Sequence, residues 1–278
     1  MTSSENLARA LRCLLLPVLV GVGAALAGMF VVRDLVSQDF LRKSGDVVGN
    51  YLQTLGTIYA VLLAFVVFVV WSQFNDARQR VEAEANELLD LARTARGFAG
   101  HTCSRFHAHL AEYLRIVTGD EWRAMGRGEE AGFDAGWAQI EEIWNYLMRI
   151  NPDPEHDREQ ALYAEMLSRF DDLSDSRSVR LSSATIRIPL GLRLLLYFGA
   201  TTMVASMYLF AVESWVIHAL LVAALAGSIS HVLYIIDDLD HCFVGQWQVP
   251  RTPFERVSRY LVNHPGSASE AVAGAERR

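Results

Sequence analysis

Between Asn50 and Asn75, eight residues recur at steps of four and three: Asn50, Thr54, Thr57, Val61, Ala64, Phe68, Trp71 and Asn75. Such steps return to one side of an α-helix. The face they build is polar at both ends and apolar in the middle. In a ring of several copies it could line a water-filled path with a dry collar at its centre, because apolar constrictions gate by dewetting. Ordinary helix packing also gathers small and polar residues on one face, and on pattern alone packing is the simpler reading. Val66, about 160° around the helix from Phe68, is expected to face lipid.

A second cluster, Asp237, Asp238, Asp240 and His241, offers hard oxygen ligands of the kind that hold a divalent cation. It lacks the alternation and the turn glycine of a calcium loop. Carboxylates at a helix C-terminus oppose the helix dipole, so an arginine or a cation is expected beside them. His218 and His231 lie thirteen residues apart in an apolar segment and read as hydrogen-bonded structural histidines. On a helix His107 and His109 splay apart, which is poor metal geometry; His101 completes that small group. The chain has no Gly-rich phosphate loop, nucleophile elbow, HExxH or paired-cysteine zinc pattern, so no enzyme chemistry and no cofactor is indicated. Cys13, Cys103 and Cys242 are too scattered to suggest a disulfide.

The elements that must position these residues are apolar helices. Residues 13–32, 47–75, 190–212 and 214–236 each reach the length of a membrane crossing. The second block holds no charged residue and then opens, without Pro or Gly, into DARQRVEAEANELLDLARTAR. One helix is therefore expected to run unbroken from Thr57 to Arg96. The first block could instead be a cleaved leader ending near Ala25-Leu26-Ala27, although its apolar run continues past that point to Val32.

Arginines set the expected orientation. Arg9, Arg12, Arg78, Arg80 and Arg93 flank the first two spans on one side. Arg177, Arg180, Arg187 and Arg193 precede the third, and Arg251, Arg256 and Arg259 follow the fourth. The other side carries Arg33, Arg42 and Lys43. The positive-inside rule puts both termini and the middle region in the cytoplasm of a cell with an inner membrane. The net charge of −7, with no basic aromatic patch, argues against nucleic acid as a partner.

Residues 76–187 read as an all-helical insert. Its first helix carries a stripe of Phe74, Ala77, Val81, Ala85 or Glu84, Leu88, Ala92 and Ala95. A second, with Phe106, Leu110, Tyr113, Leu114 and Val117, is expected to stop near Thr118-Gly119. A third presents Trp137, Ile140, Trp144, Leu147 and Met148 and breaks at Asn151-Pro152-Asp153-Pro154. The fourth carries Leu162, Met166, Phe170 and Leu173, with an option to continue into the third span. Residues 237–263 form a segment without clear periodicity after Pro250, and residues 264–278 a disordered tail.

The run TIYAVLLAFVVFVVWSQFNDARQRVEAEANELLDLAR, from Thr57 to Arg93, resembles the signature of the bacterial bestrophin-like family. Glu121-Trp122, Leu209-Phe210-Ala211-Val212-Glu213, the Asp240 to Gly245 segment and Pro253-Phe254-Glu255 fit the same family. The resemblance implies four spans, a cytosolic helical insert, and a distant relation to pentameric, largely anion-selective channels. It also implies an acidic calcium clasp after the last span. Here Gln246 stands where the family has Asp, and Cys242 where Pro is common, which weakens the case for calcium.

The resulting expectation is an all-α protein with four transmembrane helices and a cytosolic insert between the second and third. It would be a multi-pass inner-membrane protein, seated in the bilayer and self-associating, that conducts ions. The rival is a membrane-anchored scaffold whose cytosolic helices bind a protein partner.

Overall fold

The computed structural model describes residues 3–36, 38–210 and 212–265, with side chains over 15–36, 48–210 and 212–265. The tail from residue 266 onward lies outside the described residues, as do the side chains of Arg9, Arg12, Cys13, Arg42 and Lys43. Every regular element among the described residues is helical: α1 (Ser3–Leu35), α2 (Gln38–Ala95), α3 (Gly100–Ile116), a π-helical turn (Val117–Glu121), α4 (Trp122–Arg127), a 3-10 turn (Glu130–Phe133), α5 (Asp134–Leu147), α6 (Asp157–Thr185), α7 (Leu190–Tyr208), α8 (Trp215–Asp240) and α9 (Thr252–Asn263). They form two compact units, Met1–Ser72 with Arg187–Asp240, and Gln73–Ile186 with His241–Arg278. The single helix α2 contributes to both.

The first unit holds α1, the first half of α2, α7 and α8, and among the described residues four helical segments are long and apolar enough to cross a membrane. Two cores tie the unit together. Met29 and Ala25 of α1 meet Val222 and Ala226 of α8. Tyr59 of α2 meets Ala200 and Met203 of α7 and Ile229 of α8. A buried phenol needs a hydrogen-bond acceptor, and the Tyr59 hydroxyl donates to the Leu196 carbonyl at 2.9 Å. Its ring lies so close to Gly199 that a Cβ there would run into it, so only glycine admits the contact.

In the second unit the α2 stripe is buried throughout: Phe74, Ala77, Val81, Ala85, Leu88, Ala92 and Ala95. The apolar faces of the other helices complete this core, including Phe106 and Leu110 of α3, Ile140 and Leu147 of α5, and Met166, Phe170 and Leu173 of α6. His107 reaches from α3 to the Ala92 carbonyl of α2 at 2.8 Å.

Three expectations about element ends are corrected. The helix expected to stop at Thr118-Gly119 runs on, because a π-helical turn absorbs one extra residue and delivers the chain into α4. Helix α6 does not continue into α7. Ile186 turns to extended backbone (ψ 125°), and Pro189, which disfavours helix in the residue before it, leads α7. The stretch after Pro250 is periodic after all: α9 buries Phe254, Val257 and Leu261 at helical steps.

Candidate functional site

The α2 face in the first unit can now be placed. Asn50, Thr54, Thr57, Val61, Ala64, Phe68 and Trp71 are all exposed within the chain, and Asn75 is half-buried. The opposite side of the same helix packs inward through Tyr59, Val66 and Val70. At about 100° per residue, Phe68 and Tyr59 point in opposite directions. The seven residues from Asn50 to Trp71 therefore share the face turned away from the first unit, while Asn75 belongs to the second unit. Val61 and Phe68 are 66% and 68% exposed. The hydroxyls of Thr54 and Thr57 donate back to the Asn50 and Gln53 carbonyls at 3.0 and 2.9 Å, which lets them tolerate a poorly hydrated setting. Val66 is a correction. It is fully buried against its own unit rather than facing lipid.

At the end of α8, Asp240 is buried and already engaged. Its carboxylate accepts from the Ile188 backbone N–H at 2.8 Å and from Arg193 Nη2 at 2.6 Å. Asp237 lies 3.9 Å from the same guanidinium. An arginine thus accompanies the acidic helix end. Among the described residues no group of three or more His, Cys, Asp or Glu is arranged to hold a metal ion, so Asp237, Asp238 and Asp240 do not converge as ligands. His218 is buried and bonded to the Met207 carbonyl at 2.9 Å, as a structural histidine should be.

A buried charge network in the second unit escaped the sequence reading. Glu84 of α2, Glu121 of the π-helical turn, and Arg177 and Arg180 of α6 are all inaccessible to solvent. Arg180 bridges the two acids, with Nε 2.5 Å from Glu84 Oε2 and Nη2 2.6 Å from Glu121 Oε1. Arg177 holds Glu121 with two N–H donors, at 2.9 and 2.6 Å. The Tyr113 hydroxyl donates to Glu84 at 2.6 Å and accepts from Arg177 at 3.2 Å. Gly136 makes the approach possible, because a Cβ there would collide with both Glu121 and Arg177.

Two cations balance two anions in this core, which is the condition for burying charge at tolerable cost. Burial alone would push the Glu121 carboxyl up. The guanidiniums of Arg180 and Arg177 outweigh it and hold the carboxyl below its ordinary value. Burial, reinforced by Glu84, drives the Tyr113 phenol far above its usual range, so it stays a donor. Burial opposes the charge on Arg180, but Glu84 and Glu121 raise its affinity for the proton.

A signal for this network was present in the periodicity. The stripe of α6 continues from Met166, Phe170 and Leu173 directly to Arg177 and Arg180. On α2, Glu84 lies on the line from Phe74, Ala77 and Val81 to Leu88. Charges standing at core positions on two helices imply that they meet.

Beside the network, Trp122 is buried with its ring edge-on to Phe243 and Phe254, at 5.3 and 6.1 Å between centroids. Arg251 lies over the Trp122 ring and donates to the Thr118 carbonyl at 2.8 Å. Residues from three scattered motif segments, Glu121-Trp122, Phe243 and Pro253-Phe254, are thus parts of one packed assembly.

The Bestrophin-like domain family matches residues 19–254. The chain belongs to that family and is a bestrophin-like membrane protein. A crystal structure of a bacterial bestrophin homologue from Klebsiella pneumoniae is similar, with a TM-score of 0.67 at 14% identity, covering 91% of this chain and 98% of that one. A single-substitution variant of that homologue gives a TM-score of 0.68 at 14% identity, covering 90% and 99%. A structure described as a membrane protein variant gives 0.68 at 12% identity, covering 90% and 98%. At these identities the likeness is one of fold. No curated protein matches the chain in sequence.

Proposed function

We propose that this protein is an ion channel formed by several copies of the chain in a ring, with α2 innermost. The observation that carries the reading is the orientation of α2. The face from Asn50 to Trp71, polar at its start and apolar beyond, points away from the first unit's own core, where it is open to other copies. In that ring Val61, Ala64 and Phe68 form a dry collar, and Asn50, Thr54, Thr57 and Asn75 hold water at the mouths, with Trp71 between. Membership of the bestrophin-like family supports anions as the conducted species and a pentamer as the assembly. The arginine distribution supports an inner-membrane protein with both termini and the second unit in the cytoplasm.

The mass of the detergent-solubilised protein, measured by light scattering, tests the assembly. A multiple of the 31.0 kDa chain is expected. A monomer would remove the pore, because a single copy leaves the α2 face facing detergent and encloses no path. The second unit would then be read as a membrane-anchored scaffold for a protein partner.

A further inference from the structure

Two faces of the second unit carry opposite charge. One is a hollow of about 560 Å³ between the start of α5 and the end of α6. Phe133 and Leu181 give it an apolar floor, and the exposed Trp137 gives it a wall. Glu130 and Asp134 line it as well, and among the described residues neither has an ion-pair partner. The Ser178 and Ser182 hydroxyls that border it each donate back to their own helix at 2.9 Å. They offer lone pairs rather than protons to whatever enters. The hollow therefore suits a guest that is both apolar and positively charged.

The outer side of α9 has that character. Phe254, Val257 and Leu261 are buried, and at about 100° per residue Arg259 lies opposite the last two. Glu255, Arg259 and Val262 recur at steps of four and three on the exposed side. Val262 is 77% exposed, and among the described residues Arg259 has no ion-pair partner. Arg251, one turn before Glu255, leaves this face with a net positive charge. The hollow and α9 do not meet within one chain. Arg180 lies 5.8 Å from the Phe254 ring, Arg177 lies 4.9 Å from the Trp137 ring, and Glu121 joins the two guanidiniums. Helix α9 and the hollow thus stand at the two ends of a run of contacts through the buried network.

We propose that the hollow receives α9 of a second copy, with Val262 against Trp137 and Leu181 and with Arg259 between Glu130 and Asp134. This contact rests on the ring proposed above and fixes which faces of neighbouring second units meet in it. Joining hollow to hollow is disfavoured, because four carboxylates would then face one another. Contact between unlike faces is head-to-tail, and such contacts close a ring where the rotation permits.

Cysteine cross-linking of the full chain in its native membrane tests the contact. With Ala131→Cys and Val262→Cys in one chain, oxidation should give a ladder of covalent multimers, and each cysteine alone should give none. Met148→Cys with Val262→Cys, which pairs α9 with an exposed position beyond the other end of α5, should give no ladder. Arg259→Glu in the linking background should lower the linked fraction about tenfold, the scale of a charge pair turned repulsive at an interface rim. Adding Glu130→Arg and Asp134→Arg should restore most of it.

An oligomer of unchanged mass that gives no ladder would overturn the contact and leave the ring standing, whereas a monomer would remove both. An equal ladder from the Met148 pair would mark random collision and overturn it too. So would a ladder that Arg259→Glu leaves unchanged, or a link formed within one chain. A ladder that appears only after deletion of residues 266–278 would make that segment the occupant instead. If the cysteine variants do not assemble, light scattering of Arg259→Glu, with and without the two reversals, decides. Assembly weakened by the first change and restored by the others upholds the contact, and unchanged assembly overturns it.

Discussion

The two halves of α2 meet their surroundings in opposite ways. From Phe74 to Ala95 every residue of the apolar stripe is buried within one chain, and even the charges on that line are paired. From Asn50 to Trp71 the corresponding long face is exposed, with Phe68 and Val61 among the more exposed apolar side chains of the chain. The second half has found its partners by folding. The first half must take them from lipid, water or another copy. Lipid alone does not suit a face that begins in asparagine, since hydrocarbon offers no partner to an amide. The contrast therefore separates a region that makes the protein stable from one that is left open for use.

The largest effect expected from breaking the stable half is at Leu88, which is fully buried. Leu88→Asp removes the packing of a core leucine and buries a carboxylate in its place, at a cost of about 5 kcal/mol. Thermal unfolding of the purified protein should show the loss. An unchanged midpoint would mean that the stripe is solvated.

Next is Glu121→Gln, which leaves two buried guanidiniums with one carboxylate. Removing one partner from a buried pair costs about 3–5 kcal/mol, and the same measurement reads it. Acid should act on the same group more gradually. The Glu121 carboxyl is held below its ordinary value in the folded chain, so its contribution is complete above the unfolded value of about 4.3. That contribution is lost as pH falls through the lower folded value. Stability measured from pH 7 to pH 3 should therefore hold down to about pH 4 and then fall, and the acid-side fall should be shallower in Glu121→Gln. A fall of equal steepness in both proteins would show that Glu121 is not the group responsible.

The architecture was legible where one period governs a long segment. Hydropathy found the four helical segments long and apolar enough to cross a membrane among the described residues, the absence of Pro and Gly gave the unbroken α2, and the Phe74 to Ala95 stripe marked the buried side of its second half. The face from Asn50 to Asn75 followed from the same geometry. Legibility failed where the local rule changed. A π-helical turn at Val117–Glu121 is not visible to a 3.6-residue period, so the run into α4 was missed. The effect of Pro189 on Ile188 was a readable stop for α6 that apolar continuity obscured.

The charge network was harder. Arg177 and Arg180 carry a topological meaning as cytoplasmic markers, and that reading hides their second place on a core stripe. Val66 was misplaced for a related reason. In an apolar helix, periodicity separates one face from its opposite, but it does not say which of them packs inward.

The smallest effect on stability is expected at Phe68, and it tests the central claim most directly. Phe68→Ala lies on the open face, so it should change the free energy of unfolding by less than about 1 kcal/mol, in keeping with a side chain that makes little contact in its own chain. In reconstituted liposomes it should widen and wet the collar and raise chloride flux several-fold above the unmodified protein. Leu220→Ala, at an exposed position on α8, should leave flux unchanged. Equal flux from all three proteins, with the assembly intact, would contradict the account and make the open half of α2 a packing surface rather than a pore.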